Sequence, residues 1–358
     1  MAVAARAAAD VHEEVLRVPV GSPPVALEVT FYHPDGEGPF PVAVLNHGKD
    51  GGDAHRQPRD RAVLASRYFL SRGYAVVIPM LRGFSQSGGT VWFRGDPAKE
   101  ALLQAQDIQE AVQYVGSHAS VPLDMGRVVA LGQSYGGWNT LALGALGMPG
   151  LKGLIVFAGG RRYEALTTWS DELAAAAGRL GAQTPSIPSL WFYGDNDSLF
   201  PKETREAMFN RYTGSGGHAQ LVNFGSFMRE GHFFLGEVEA MPIWTPRIDE
   251  FLDRLNLPAK PLYPGYLPKP FPKPSGFAPL EDVSAVPVAE EEDRKRYREF
   301  LKMEWPRVFL ITSQGRGVAL RTPYDPVGAA EAFAAQHNLE CGIYAIDDKV
   351  VWDPNGQP

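Results

Sequence analysis

A run of four apolar residues, Val128-Val129-Ala130-Leu131, leads into Gly132-Gln133-Ser134-Tyr135-Gly136-Gly137 and then at once into the helix-compatible Trp138-Asn139-Thr140-Leu141-Ala142-Leu143. A strand that turns this sharply into a helix brings two backbones so close that Gly132 and Gly136 leave no room for a Cβ. The serine on the turn is pushed out above the sheet edge with its hydroxyl exposed. The amide that follows it, on Tyr135, is aimed into the same space, which makes a nucleophile and half of an oxyanion hole. Few other folds accommodate this pattern as well as an open α/β sheet does.

The rest of the chain agrees with that architecture. Apolar runs at Ala26–Tyr32, Val42–Asn46, Ala75–Met80, Val128–Leu131, Leu154–Phe157, Ser189–Tyr193 and Gln220–Phe224 read as strands. Helical patterns fall between them at 58–72, 98–117, 135–147, 202–212 and 243–255. Alternation of this kind predicts a mostly parallel, doubly wound sheet with helices on both faces. Continuous apolar runs such as Ala75-Val76-Val77-Ile78 fit strands buried on both sides. The first two or three strands read as antiparallel and hairpin-linked, with Pro34-Asp35-Gly36 as a turn. The expected catalytic domain covers 13–256. Eight prolines between 258 and 279 preclude helix or central strand there, so 257–285 is expected as an extended linker. A small α+β unit is expected over 286–353, with helices at Glu290–Met303 and Ala329–His337 and strands at Val308–Thr312 and Cys341–Ile346. At that size a generous core is hard to build, and the unit is expected to need a partner surface.

A net charge of −7, with no basic stripe, argues against nucleic acid as a partner. The single cysteine, Cys341, excludes an intrachain disulfide and a thiolate metal cluster. No run reaches transmembrane length. The small apolar residues at the start are too short and weak for a signal peptide core, which leaves a soluble protein, either cytoplasmic or exported with a leader removed. Oligomeric state is not readable.

A serine hydroxyl needs a base to take its proton, and the base needs a carboxylate to orient it. On a sheet of this type the two partners follow on loops after later strands, acid first and histidine second. Ser189–Tyr193 is followed by Gly194-Asp195-Asn196-Asp197, and Asp197 is the expected acid because its spacing clears the strand end, with Asp195 as the alternative. Val222-Asn223-Phe224 is followed by a short loop ending in Gly231-His232, so His232 is the expected base. His218 precedes the last strand and falls on the wrong side of the sheet. The second oxyanion donor is expected from His47-Gly48-Lys49, as the Lys49 backbone N–H acting with that of Tyr135, while His47 is expected to be hydrogen-bonded within its loop. A metal site from His47, Asp50, Asp53 and His55 follows no common spacing, and no cofactor or metal is expected.

These motifs, in this order, resemble the α/β-hydrolase superfamily. Together with Pro79-Met80-Leu81-Arg82-Gly83-Phe84-Ser85-Gln86-Ser87-Gly88 they are most similar to dienelactone-hydrolase-like serine esterases, followed by prolyl-oligopeptidase-type peptidases. The resemblance covers 25–256. It implies an α/β-hydrolase fold, a Ser134–His232–Asp197 triad and a small-molecule ester as substrate. Dienelactone hydrolases proper carry a cysteine nucleophile, and serine here favours a general carboxylic ester. The C-terminal unit is similar to tails on some bacterial hydrolases and brings no implied activity. The other readings are a serine peptidase with the same machinery and a non-catalytic binding protein on this fold. Arg161, Tyr163 and Trp169 lie in an insert after the strand at Leu154–Phe157, where a lid over the site is expected, and form a weak substrate-binding set.

Overall fold

A computed structural model describes residues 11–91, 95–162, 167–184, 186–269, 271–303, 307–321 and 326–354. The chain divides into two compact units, one spanning Val11–Pro264 and the other running on from Gly265.

The first unit is built on eight strands: β1 (His12–Val20), β2 (Val25–His33), β3 (Phe40–Asn46), β4 (Ala75–Pro79), β5 (Leu123–Gln133), β6 (Leu151–Phe157), β7 (Ser189–Tyr193) and β8 (Ala219–Asn223). Their order across the sheet is β1-β2-β4-β3-β5-β6-β7-β8. β1 and β2 form an antiparallel pair and β2 runs antiparallel to β4, while every pairing from β4 onward is parallel. The expected hairpin between the second and third strands is therefore not made. β3 crosses over to lie between β4 and β5, and both its faces are buried.

Among the described residues six α-helices cover this sheet: α1 (Val63–Ser71), α2 (Pro97–His118), α3 (Tyr135–Leu146), α4 (Trp169–Ala182), α5 (Lys202–Gly214) and α6 (Met241–Arg254). Among the described residues no helix is long and apolar enough to cross a membrane. Val42, Val44, Ala130 and Val156 pack in one core with Ile108 of α2, Leu141 of α3 and Leu173 of α4. On the opposite face Phe157 meets Trp244 of α6, whose ring also sits edge-on to Tyr68 of α1 at 5.0 Å.

α4 makes up the latter part of the segment after β6 in which a lid is expected, while 163–166 lie outside the described residues. Leu173, Ala176, Ala177 and Leu180 follow helical spacing and are fully buried, so the helix is a wall of the core. The expected linker is also divided. Tyr74 donates to the Pro258 carbonyl at 2.9 Å, Arg72 to that of Ala259 at 3.1 Å, and the Leu262 and Tyr263 amides to Ser71 at 2.7 and 2.8 Å. Those bonds fasten the segment up to Pro264 to the first unit.

The second unit contains α7 (Glu291–Phe300), β9 (Arg307–Thr312), β10 (Gly317–Arg321), α8 (Pro326–His337), β11 (Cys341–Ile346) and β12 (Lys349–Val350). Its antiparallel sheet has the order β10-β9-β11-β12. Tyr297 and Phe300 of α7 cover one face through Phe309, Ile311 and Tyr344, and Val327 and Ala330 of α8 cover the other through Val308, Leu310 and Ile346. Contrary to expectation, the small unit covers both faces of its sheet with its own helices.

Candidate active site

β3, β5, β7 and β8 run parallel, so their C-terminal ends and the loops that follow share one edge of the sheet, where open α/β sheets carry their sites. Ser134 stands between β5 and α3 with φ +56° and ψ −123°, a conformation costly for any residue with a side chain. The surroundings over-determine it. Its N–H donates to Phe157 at 2.9 Å, and its carbonyl accepts from Trp138 and Gly160, each at 3.0 Å. A Cβ on Gly136 would lie 1.8 Å from the Asn46 carbonyl oxygen, and one on Gly132 would lie 2.4 Å from Gly136. Both glycines are there because backbone passes through that space. The Tyr135 amide is at the first residue of α3, where N–H groups have no acceptor within their own helix. Its phenol is buried, accepts from the Gln104 amide and is pushed up to about 12 by that burial.

The loop after β3 runs alongside the serine. A Cβ on Gly48 would lie 3.5 Å from the Gln133 carbonyl oxygen and 3.7 Å from the Ser134 Cβ. Lys49 follows there, its ammonium folded back onto the carbonyls of Asp50 at 2.9 Å and Gly52 at 3.3 Å. Gln57 pins the loop on both sides of Lys49, donating to the Gly48 carbonyl and accepting from the Asp50 amide, both at 2.9 Å. His47 is buried, with Nδ1 2.7 Å from the Gly48 carbonyl and Nε2 accepting from the Leu81 amide at 3.0 Å. Burial pushes its pKa down. With both nitrogens engaged, the neutral ring braces the loop. Among the described residues no three His, Cys, Asp or Glu side chains are grouped to hold a metal ion.

His232 and Asp197 meet in the interior. Nδ1 of the imidazole is 3.2 Å from each carboxylate oxygen, and the two side chains are 3% and 0% exposed, so water does not compete for this pair. Asp197 Oδ1 also accepts from the Leu199 and Phe200 amides, both at 2.9 Å, which fixes the carboxylate. Asp195 is turned elsewhere. Its Oδ1 takes Arg205 at 2.6 Å and Asn223 at 2.9 Å, bonds that hold its carboxyl below the usual range. The histidine loop is tied to the serine turn by Gln133 Nε2, which donates to the His232 carbonyl at 2.5 Å. The Phe200 ring lies 5.6 Å from the imidazole, and a Cβ on Gly160 would strike it at 2.4 Å.

Three further residues build this geometry and escape sequence reasoning: Gln133, Asn196 and Glu230. Asn196 accepts from the Phe227 amide at 2.9 Å and donates to the Phe227 carbonyl at 3.1 Å, joining the two loops. Glu230 accepts from the amides of His232 at 2.9 Å and Ser198 at 3.2 Å. Partial burial pushes its carboxyl up, but the bonds from Ser198 and the His232 amide outweigh this and hold it below the ordinary glutamate range. A carboxylate with a depressed folded pKa contributes stability that is present above its unfolded value and lost as pH falls through the folded one. Thermal stability should therefore drop as pH falls below about 4, and drop less steeply in Glu230→Gln, as read from melting temperatures across that range.

Of the substrate set of the sequence reading, Arg161 and Trp169 fall within the described residues. Arg161 is buried and paired with Glu100 at 2.9 Å, with a second bond to the Gly95 carbonyl at 3.2 Å. Burial pushes Glu100 up against the opposing pull of that guanidinium. Trp169 is half-buried at the start of α4, its ring 6.2 Å from Phe200 and under the Arg162 guanidinium at 5.6 Å. Tyr163 lies outside the described residues.

The parallel sheet, its covering helices and the serine turn define a hydrolase of the α/β-hydrolase superfamily. More particularly, residues 21–220 match the X-Pro dipeptidyl-peptidase (S15) family, and the protein belongs to it. Two solved structures share the fold over 72% and 67% of this chain. A puromycin-hydrolyzing peptidase of Mycobacterium tuberculosis matches with a TM-score of 0.51 and 17% identity, over 72% of this chain and 41% of that one. Dipeptidyl peptidase 4 of Porphyromonas gingivalis matches at 0.50 and 18%, over 67% and 35%. An esterase of Pyrococcus furiosus matches at 0.48 and 16%, over 69% and 92%. No curated protein sequence matches the chain.

Proposed function

We propose that the protein cleaves small carboxylic esters through an acyl-enzyme, with Ser134 as nucleophile, His232 as general base and acid, and Asp197 orienting the imidazole. The observation that carries this reading is the buried His232–Asp197 pair, bonded through Gln133 to the turn that holds Ser134 at positive φ. Ser134 Oγ bonds to the substrate carbonyl carbon while its proton passes to His232 Nε2. The Tyr135 and Lys49 amides receive the oxyanion. Collapse of the tetrahedral adduct breaks the bond to the alcohol oxygen, which leaves with the proton from His232. Water repeats the sequence on the acyl-serine and releases the acid. The side chains supply every proton transfer, so the chemistry needs no cofactor.

The S15 family match favours a second reading, release of an Xaa-Pro dipeptide by the same groups. A peptidase of that kind must hold the substrate ammonium with an acidic side chain. The acidic residues brought by the two catalytic loops besides Asp197 are already engaged, Asp195 by Arg205 and Asn223 and Glu230 by two backbone amides. The ester reading therefore stands first. Turnover of p-nitrophenyl acetate and butyrate beside alanyl-prolyl-p-nitroanilide tests it: the esters are expected to be cleaved and the anilide left intact. Comparable rates on the anilide would move the assignment to the peptidase.

A further inference from the structure

Phe233 is 58% exposed and Met228 47% exposed, and both belong to the short loop that carries His232. Single exposed apolar residues are ordinary on a protein surface. Two within six residues, one with its ring edge-on to the imidazole at 5.4 Å, are a local concentration at the reacting group. This lip is also built rather than frayed. Met228 has φ +45°, a strained backbone for a residue with a side chain. Asn196 holds it there, donating to the carbonyls of Phe227 at 3.1 Å and Met228 at 3.3 Å. Phe234, next to Phe233, is buried and stacked on Phe224 at 3.8 Å, with Phe227 edge-on at 5.0 Å. With Phe234 locked inward, its neighbour projects outward.

We propose that Phe233, with Met228 on the same loop, is a specificity-determining residue that receives the alcohol half of the substrate, so that the favoured esters are those of bulky apolar or aromatic alcohols. This rests on the ester-hydrolase reading above. The imidazole must hand its proton to the departing oxygen, so the alcohol lies on the histidine side of the serine. A large apolar alcohol there removes much of the Phe233 and Met228 surfaces from water as it binds, and a methyl or ethyl group removes far less.

The test is the ratio of kcat/KM for benzyl acetate to that for methyl acetate. The acyl group is the same in both, so the ratio reads the alcohol side alone. In Phe233→Ala it is expected to fall roughly tenfold, the scale on which apolar pockets discriminate. Phe233→Leu should fall less and Met228→Ala should move in the same direction. Val15→Ala, at another exposed apolar position, should leave the ratio at the wild-type value. An unchanged ratio in Phe233→Ala and Met228→Ala, or equal losses on both esters, would overturn the lip while leaving Ser134 as nucleophile. A wild-type protein that cleaves neither ester would overturn the ester reading and this inference together. If Phe233→Ala does not fold, the Met228→Ala ratio decides by the same rule.

Discussion

Ser134→Ala is expected to lower kcat for ester turnover by about 10⁶, the loss typical when a triad nucleophile is removed. The fold should survive. The strained φ at this position is enforced by bonds to backbone atoms of Phe157, Trp138 and Gly160, none of which involves the hydroxyl. Alanine carries the same Cβ as serine, so the close passage of the Gly48 loop is undisturbed. The variant should melt near the wild-type temperature and show no acyl-enzyme burst with p-nitrophenyl acetate. Retention of more than a few per cent of wild-type turnover would remove Ser134 from the mechanism.

Asp197→Asn should cost roughly 10⁴ in kcat, because an amide at this place offers the imidazole an N–H and selects the wrong tautomer. The position is sensitive because the pair is shut away from water, with His232 3% and Asp197 0% exposed. Asp195→Asn should cost far less. That side chain is half exposed, and its carboxylate is taken up by Arg205 and Asn223. Steady-state kinetics on both variants and one ester give the ranking directly, and the reverse order would exchange the two assignments.

Much of the first unit is legible because its strands are buried on both faces. The runs at Val42–Asn46, Ala75–Met80 and Ser189–Tyr193 stand out as continuous apolar segments, and each lies in an observed strand or overlaps its end by a residue. β1 is harder, since it is an edge strand with only one face in the core and Val15 open to solvent. α4 does carry a readable signal, Leu173, Ala176, Ala177 and Leu180 at helical spacing, but alanine and glycine dilute its hydrophobicity and it passes for an insert. β10 is half-exposed and five residues long, too short for a clear alternation. At the site, glycine spacing marks the serine turn because close backbone approach leaves a trace in sequence. Gln57, Gln133, Asn196 and Glu230 leave none. Each acts through one to three bonds to loop backbone atoms, and a lone polar residue in a loop looks the same whether or not it makes them.

The bond from Gln133 to the His232 carbonyl joins residues 99 positions apart. Contacts of such long range cost chain entropy before they return anything, so they form late. The loop they close is held by side-chain bonds, isolated backbone bonds and one stack of phenylalanines rather than by a ladder of sheet hydrogen bonds. A segment of that kind opens locally at lower free energy than the sheet beneath it. The parallel sheet can thus be intact in molecules in which His232, the proposed general base, is out of place. The competent population is set by the closure of one loop, and mutations far from the serine can change activity through that closure without touching a reacting group.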